Sequence, residues 1–243
     1  MIDPLLLAAT RISTFDGARL LTAASGFFFE RDARLFLVTS RHVLIDVPTG
    51  HNPNRIEVVL HTDPVNLTRF MVLSVMLYRD GQSTWRQGRD SGGEIDVAVL
   101  ELDRAAVPRE AVFLAFTPAH LLGPMEEIGI GTPLLTVGFP LGFYDTVHNL
   151  PVARQATVAS AFGVRFQGEG YFLTDARAHR GTSGAPVVMH APGGPGPLPW
   201  RLLGIHSAAL DMKTREPGVD ETLGLNCSWY ADILHTLTAE GVR

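Results

Sequence analysis

The sequence predicts an all-β protein, and three observations carry that prediction. Strand-length apolar runs recur along the whole chain. Glycine (24 residues) and proline (16) punctuate them throughout, so each run ends at a turn signal. Helical periodicity is almost confined to one terminus. The runs, in order, are Ser25–Phe29, Leu35–Thr39, Ile56–Leu60, Met71–Val75, Val97–Leu100, Pro133–Val137, Tyr171–Thr174, Pro186–Met189 and Leu202–Ile205. Several are rich in β-branched or aromatic residues, which suit a pleated, half-buried surface. Short strands between turns indicate a sandwich or barrel rather than alternating βαβ units. Near the C-terminus Tyr230, Ile233, Leu234 and Leu237 recur at helical spacing, with Asn226 or Ser228 as a cap and Gly241 at the end. A second short helix is expected after His42. Three stretches read as loops: 79–94, 141–151 and 191–199, the last holding Gly193-Gly194-Pro195-Gly196-Pro197. A division near 110–120 separates two β-rich halves, 1–115 with His42 and Asp96 and 116–243 with Ser183.

Composition narrows the functional classes. Hydrophobic residues make up 46% of the chain and charged ones 19%, enough apolar material for a sizeable core. The net charge is −5 and no dense Lys/Arg stripe offsets it, which argues against a nucleic-acid partner. The single cysteine, Cys227, forbids an intramolecular disulfide and reads as a packed small hydrophobe. The start, Met1-Ile2-Asp3-Pro4-Leu5-Leu6-Leu7, lacks the basic residues that open a secretory signal. No run reaches the ~20 apolar residues of a membrane span. A cytoplasmic protein without a membrane partner is the expectation. His51, His61, His120, His148, His190 and His235 show no metal-ligand spacing, and there is no His-Glu-x-x-His, so neither a metal nor another cofactor is expected.

Three segments carry chemistry when taken together. Thr39-Ser40-Arg41-His42-Val43-Leu44 follows an apolar run. Asp96 stands at the mouth of another, in Glu94-Ile95-Asp96-Val97-Ala98-Val99-Leu100. Arg180-Gly181-Thr182-Ser183-Gly184-Ala185-Pro186-Val187 leads into a third. A serine hydroxyl is a poor nucleophile without an adjacent base. Histidine can take its proton and return it to a leaving group. A buried carboxylate fixes the imidazole tautomer and stabilises its cation. Glycines beside Ser183 allow a tight turn that aims the amides of Gly181 and Ser183, with Thr182 between them, at one point, an oxyanion hole. Singly, each segment is commonplace as a structural feature. In the chain order His, Asp, Ser they form a candidate triad of His42, Asp96 and Ser183. The α/β-hydrolase elbow requires Gly-x-Ser-x-Gly and the order Ser, Asp, His, whereas Ala185 stands here where that motif has glycine.

From about Ser25 to Leu210 the chain resembles the bacterial trypsin-like serine peptidases, especially the Htr-type branch. The resemblance rests on the strand into Thr39–Leu44, on Ile95–Leu100, on Val137-Gly138-Phe139-Pro140-Leu141-Gly142, and on Thr174-Asp175-Ala176 upstream of Gly181–Pro186. It implies a chymotrypsin-like fold, two six-stranded antiparallel β-barrels with the triad in the cleft between them and a C-terminal helix. It implies serine endopeptidase activity on a protein or peptide substrate. Thr182 and Ala185 replace commoner residues of the family motif without removing a catalytic group, and no C-terminal peptide-binding module is recognisable.

In such a fold the strand 202–210 forms a wall of the primary (S1) pocket, so His206, Ser207 and Ala208 are assigned to it, with Arg177, Ala178 and His179 before the nucleophile. Gly204-Ile205-His206-Ser207 is similar to a segment of the glutamyl endopeptidases and of viral chymotrypsin-like proteases that prefer glutamine, which implies a preference for Glu or Gln at P1. A structural histidine and a solvated arginine are the competing readings of His206 and Arg177. At the level of function, three readings compete. One is an active endopeptidase. Another is a latent or regulatory module of the same fold that waits for an activating protein partner, gated by the 79–94 and 191–199 loops. The third is an esterase with the same triad.

Overall fold

A computed structural model describes residues 2–123, 126–210 and 223–241, and strands dominate it. The first sheet comprises β1 (Ala9–Asp16), β2 (Arg19–Arg31), β3 (Arg34–Thr39), β4 (Arg55–His61), β5 (Phe70–Met76), β8 (Trp85–Asp90) and β9 (Gly93–Leu102). Its order is β5-β4-β1-β2-β3-β9-β8, antiparallel throughout. The second sheet holds β10 (Pro133–Gly138), β11 (Val152–Thr157), β12 (Tyr171–Thr174), β13 (Pro186–His190), β14 (Trp200–Ala209) and β15 (Asn226–Tyr230) in the order β11-β10-β13-β14-β15-β12. Hydrogen bonds from Ala159 N–H to Leu173 C=O (2.8 Å) and from Asp175 N–H to Thr157 C=O (3.3 Å) join its two outer strands and close the barrel.

The first barrel has seven strands where six were expected. The outermost two, β5 and β8, follow one another along the chain and are split by a small hairpin, β6 (Tyr78–Arg79) and β7 (Gln82–Ser83), that turns at Asp80-Gly81. Thr84 N–H bonds to Leu77 C=O (2.9 Å) at the base of that hairpin. The 79–94 stretch is therefore mostly strand, not the loop its polar composition suggests. Its burial alternates, and polar residues occupy the solvated positions of β8.

Side-chain alternation explains why some strands read as unbroken apolar runs. Phe28, Leu37 and Leu100 face a core inside the first barrel, together with Ile12, Val58 and Leu73. Their neighbours Phe27, Phe29, Phe36, Val38, Val97 and Val99 point the other way, into a core that also takes Val137, Trp200, Ile205 and Trp229 from the second barrel. A third core, with Leu134, Phe172, Val187 and Leu203, fills the second barrel. Strands β2, β3 and β9 are thus apolar on both faces, and they carry the barrel–barrel contact.

The C-terminal helix is shorter than its periodicity suggests. Asn226, Ser228 and Tyr230 belong to β15, where Asn226 pairs with Thr174 and Ser228 with Phe172, so Asn226 and Ser228 do not cap it. The helix α2 (Ile233–Leu237) starts at Asp232. Five residues cannot hold a helix alone. Leu234 and Leu237 are buried, and three arginines of the first barrel hold its C-terminal end. Arg31 Nη1 donates to His235 C=O (2.7 Å), Arg34 Nη1 to Thr238 C=O (3.3 Å), and Arg86 Nη1 to the carbonyls of Leu237 and Ala239 (both 3.1 Å). Cations there satisfy otherwise unpaired carbonyls and oppose the helix dipole. Replacing Arg86, which holds two of these carbonyls, by Met is expected to lower the unfolding free energy by about 1–2 kcal/mol in urea titrations. A change within about 0.3 kcal/mol would mean that these bonds merely replace solvent.

Candidate active site

The short helix α1 (Arg41–Leu44) follows β3 directly and carries His42. Its preceding residue, Ser40, does not cap it, because Ser40 Oγ donates instead to His206 C=O (3.0 Å). Asp96, on β9, takes that role from a distance of 54 residues. Its Oδ1 accepts the His42 backbone N–H (2.8 Å). Its Oδ2 accepts His42 Nδ1–H (2.7 Å) and the Ser207 hydroxyl (2.5 Å). The acceptor on Nδ1 fixes the tautomer and leaves the Nε2 lone pair as the basic site. Burial draws the His42 pKa down, but the hydrogen bond and charge of Asp96 more than offset it, and the pKa ends above its ordinary value.

Ser183 lies on the turn between β12 and β13. Its hydroxyl donates to Ser207 C=O (2.9 Å). At Gly184 (φ 85°) an added Cβ would lie 2.2 Å from both Ser25 C=O and Thr39 Oγ1, so the residue after the serine must be glycine. The Thr182 amide bonds to His179 C=O (3.1 Å) and its side chain is buried. Among the described residues no hydrogen bond engages the amides of Gly181 or Ser183. Among the described residues the turn therefore leaves the amides of Gly181 and Ser183 free as donors, while the Thr182 amide between them is engaged within the turn.

The residues assigned to the primary pocket separate into two groups. Arg177, His179 and Ala208 are exposed and Ala178 is half-buried, on the approach to the turn and the end of β14. His206 and Ser207 are buried. Ser207, which the sequence assigns to the pocket wall, donates its hydroxyl to Asp96 Oδ2, and nothing in its sequence context marks that bond. His206 stands opposite Ser228 in the β14–β15 ladder, at one end of the second barrel. Its Nδ1, with Ser228 Oγ, Thr174 Oγ1 and Thr182 Oγ1, is buried without a hydrogen-bond partner among the described residues. Burial, aided by the nearby His42, pushes the His206 pKa down to about 4. No group of three or more His, Cys, Asp or Glu side chains with metal-binding placement occurs among the described residues, and no described helix is long and apolar enough to cross a membrane.

Folding keeps His206 neutral at pH values where the unfolded ring is charged. The unfolded imidazole binds a proton near pH 6.5, and the folded one does not until about pH 4. Stability should be full above pH 6.5 and fall as pH drops toward 4, by up to about 3 kcal/mol. Urea unfolding of wild type and His206→Gln at pH 7.5 and 4.5 checks this. The variant should lose less than wild type, and parallel losses would mean that the ring is solvated.

The sequence pattern described as "Trypsin-like peptidase domain" matches residues 24–193. No curated protein matches the chain. Among solved structures the fold is similar to that of a serine endoprotease from Yersinia pestis, with a TM-score of 0.57 and 18% sequence identity. That match covers 96% of this chain and 62% of the other, so this chain spans under two thirds of that protein's length. With more than half of its length inside the family pattern, the chain belongs to the trypsin-like peptidase domain family.

Proposed function

We propose that the protein is a serine endopeptidase that cleaves peptide bonds through an acyl-enzyme, with His42, Asp96 and Ser183 as its triad. The observation that carries this reading is the Asp96 carboxylate, which holds His42 by both backbone and ring while leaving Nε2 free as a base. Ser183 supplies the nucleophile and His42 the general base. The imidazolium then protonates the leaving amine. The free amides of Gly181 and Ser183 receive the oxyanion. Water next attacks the acyl-enzyme, again with His42 as base.

The preferred P1 residue is glutamine or glutamate. The unpartnered polar atoms of His206, Ser228, Thr174 and Thr182 support this choice, since a carboxamide or carboxylate brings the acceptors and donors they lack. A neutral His206 both donates and accepts, which suits the amide at least as well as the acid. Arg177 and His179, exposed beside the turn, add positive charge or donors at its mouth.

A second reading draws on one bond. Ser183 Oγ donates to Ser207 C=O, away from His42, as in a module at rest that needs a protein partner to engage its nucleophile. Reaction with a fluorophosphonate distinguishes the two. Prompt Ser183-dependent labelling of the isolated protein fits the active enzyme, and labelling only after a partner is added fits the latent one.

Cleavage of a proteome-derived peptide library, with termini mapped by mass spectrometry, should follow Gln or Glu and vanish in Ser183→Ala. Cutting after Lys, Arg or large aromatics would reject the P1 assignment. Asp96→Asn should lower kcat by about 10⁴-fold, because the imidazole then takes the wrong tautomer. kcat/KM should rise with pH as His42 loses its proton, with a midpoint above the ordinary 6.5. A midpoint well below 6.5 would remove Asp96 from contact with the base.

A further inference from the structure

The oxyanion turn belongs to the second barrel, yet the first barrel supplies much of what holds it. Each carbonyl from His179 to Ser183 accepts a hydrogen bond. His179 C=O takes Thr182 N–H (3.1 Å), Arg180 C=O takes Leu141 N–H (2.5 Å), and Thr182 C=O takes Ala185 N–H (2.9 Å). The remaining two go to a single residue of β2. Ser25 Oγ–H donates to Gly181 C=O (2.7 Å), and Ser25 N–H donates to Ser183 C=O (3.0 Å).

A trans peptide plane holds its C=O and N–H in opposite directions. Fixing Arg180 C=O therefore points Gly181 N–H the other way. Fixing Thr182 C=O does the same for Ser183 N–H. These are the two amides left free. The Gly181–Thr182 plane lies between them and is secured by the Ser25 hydroxyl. Rotation of that plane would disturb the free amides on both sides.

Ser25 Oγ also accepts Phe139 N–H (2.9 Å), so it ties down the segment that provides Leu141 N–H to Arg180. Gly181 (φ 89°) packs directly on this segment. An added Cβ would lie 2.5 Å from Phe139 C=O. Ser25 itself is fully buried, and its own carbonyl accepts Thr39 Oγ1–H (2.8 Å). A Cβ on Gly138 would sit 2.5 Å from Ser25 Oγ, so position 138 must be glycine to admit the hydroxyl.

We propose that Ser25 is a positioning residue for catalysis: its hydroxyl, supplied by the first barrel, holds the Gly181–Thr182 peptide so that the amides of Gly181 and Ser183 face the developing oxyanion. The proposal rests on the reading of Ser183 as nucleophile and of those amides as the oxyanion site.

The test compares Ser25→Ala and Ser25→Cys with wild type, Ser183→Ala, and a first-barrel core variant, Ile12→Val, on a peptide that the wild type cleaves. Ser25→Ala should lower kcat by about 10- to 100-fold. KM should stay within about twofold, because ground-state binding does not need the oxyanion donors. Affinity for a substrate-derived peptide aldehyde, whose adduct places an oxyanion in the hole, should fall by the same factor as kcat. Ser25→Cys keeps a weak donor and should fall between the two, and it carries the test if Ser25→Ala does not fold. Ile12→Val should lower the melting temperature without lowering kcat or aldehyde affinity. Unchanged kcat and aldehyde affinity in the Ser25 variants would overturn the proposal, as would an equal loss in Ile12→Val. Cleavage that survives in Ser183→Ala, or is absent from wild type, is a separate result that overturns the underlying reading and the proposal with it.

Discussion

The Asp96 carboxylate is the interaction on which the candidate site depends. It accepts three hydrogen bonds, two from His42 and one from Ser207, and so joins a helix of the first barrel to a strand of the second. A partly buried carboxylate with three donors is satisfied without a cation. With fewer donors it would be costly to bury and free to turn. The bond to the His42 amide performs the work of a helix cap, so the residue that orients the imidazole also starts the helix that carries it. Ser40, freed from that task, donates to His206 C=O and adds a second polar tie between the barrels.

Apolar packing and polar ties divide the barrel–barrel contact between them. The large shared core, with Phe27, Phe36 and Val97 against Val137, Ile205 and Trp229, supplies the burial that holds the halves together. It has no directional content. Register at the site comes from polar atoms at the rim of that core: Ser25 to Gly181 and Ser183, Ser40 to His206, and Ser207 to Asp96. Three serines, two from one barrel and one from the other, thus align the candidate catalytic groups. Each is buried and hydrogen-bonded, which makes any displaced arrangement pay for unpaired polar atoms.

What the sequence made legible follows the same division. Each of the nine apolar runs lies in a strand; those of β2, β3 and β9 are continuous because both faces are buried, whereas that of β5 is apolar although largely exposed. Other strands solvated on one face carry less apolar signal. β8 reads as a polar loop and β11 has only one fully buried residue, Ala156. β15 was obscured differently. Its buried Asn226 and Ser228 have the chemistry of helix caps, and only the strand register reveals that they face Thr174 and Phe172. The hairpin at Asp80-Gly81 did carry a local signal, the Asp-Gly pair that favours a two-residue turn. The candidate triad residues and the turn glycines were legible because their motifs are local. The supports at Ser25, Ser40 and Ser207 were not, since their partners lie 156, 166 and 111 residues away and a serine within or just after a strand has no distinctive pattern.

The resting position of the Ser183 hydroxyl bears on whether such a site is latent. Its bond to Ser207 C=O is a single neutral hydrogen bond on a half-buried side chain, with a net worth of about 1 kcal/mol, or a bias of about fivefold. A serine rotamer crosses between wells in picoseconds to nanoseconds, far faster than any turnover. That bond can therefore neither store an inactive state nor require a partner to release it. A durable off-state needs a backbone change, such as a reversed peptide in the oxyanion turn. Here every carbonyl from His179 to Ser183 already has a donor, and reversing one plane breaks its bond and turns that carbonyl toward the site where negative charge must develop. The cost falls on the inactive arrangement, so the physics of the turn favours the active enzyme over the latent module.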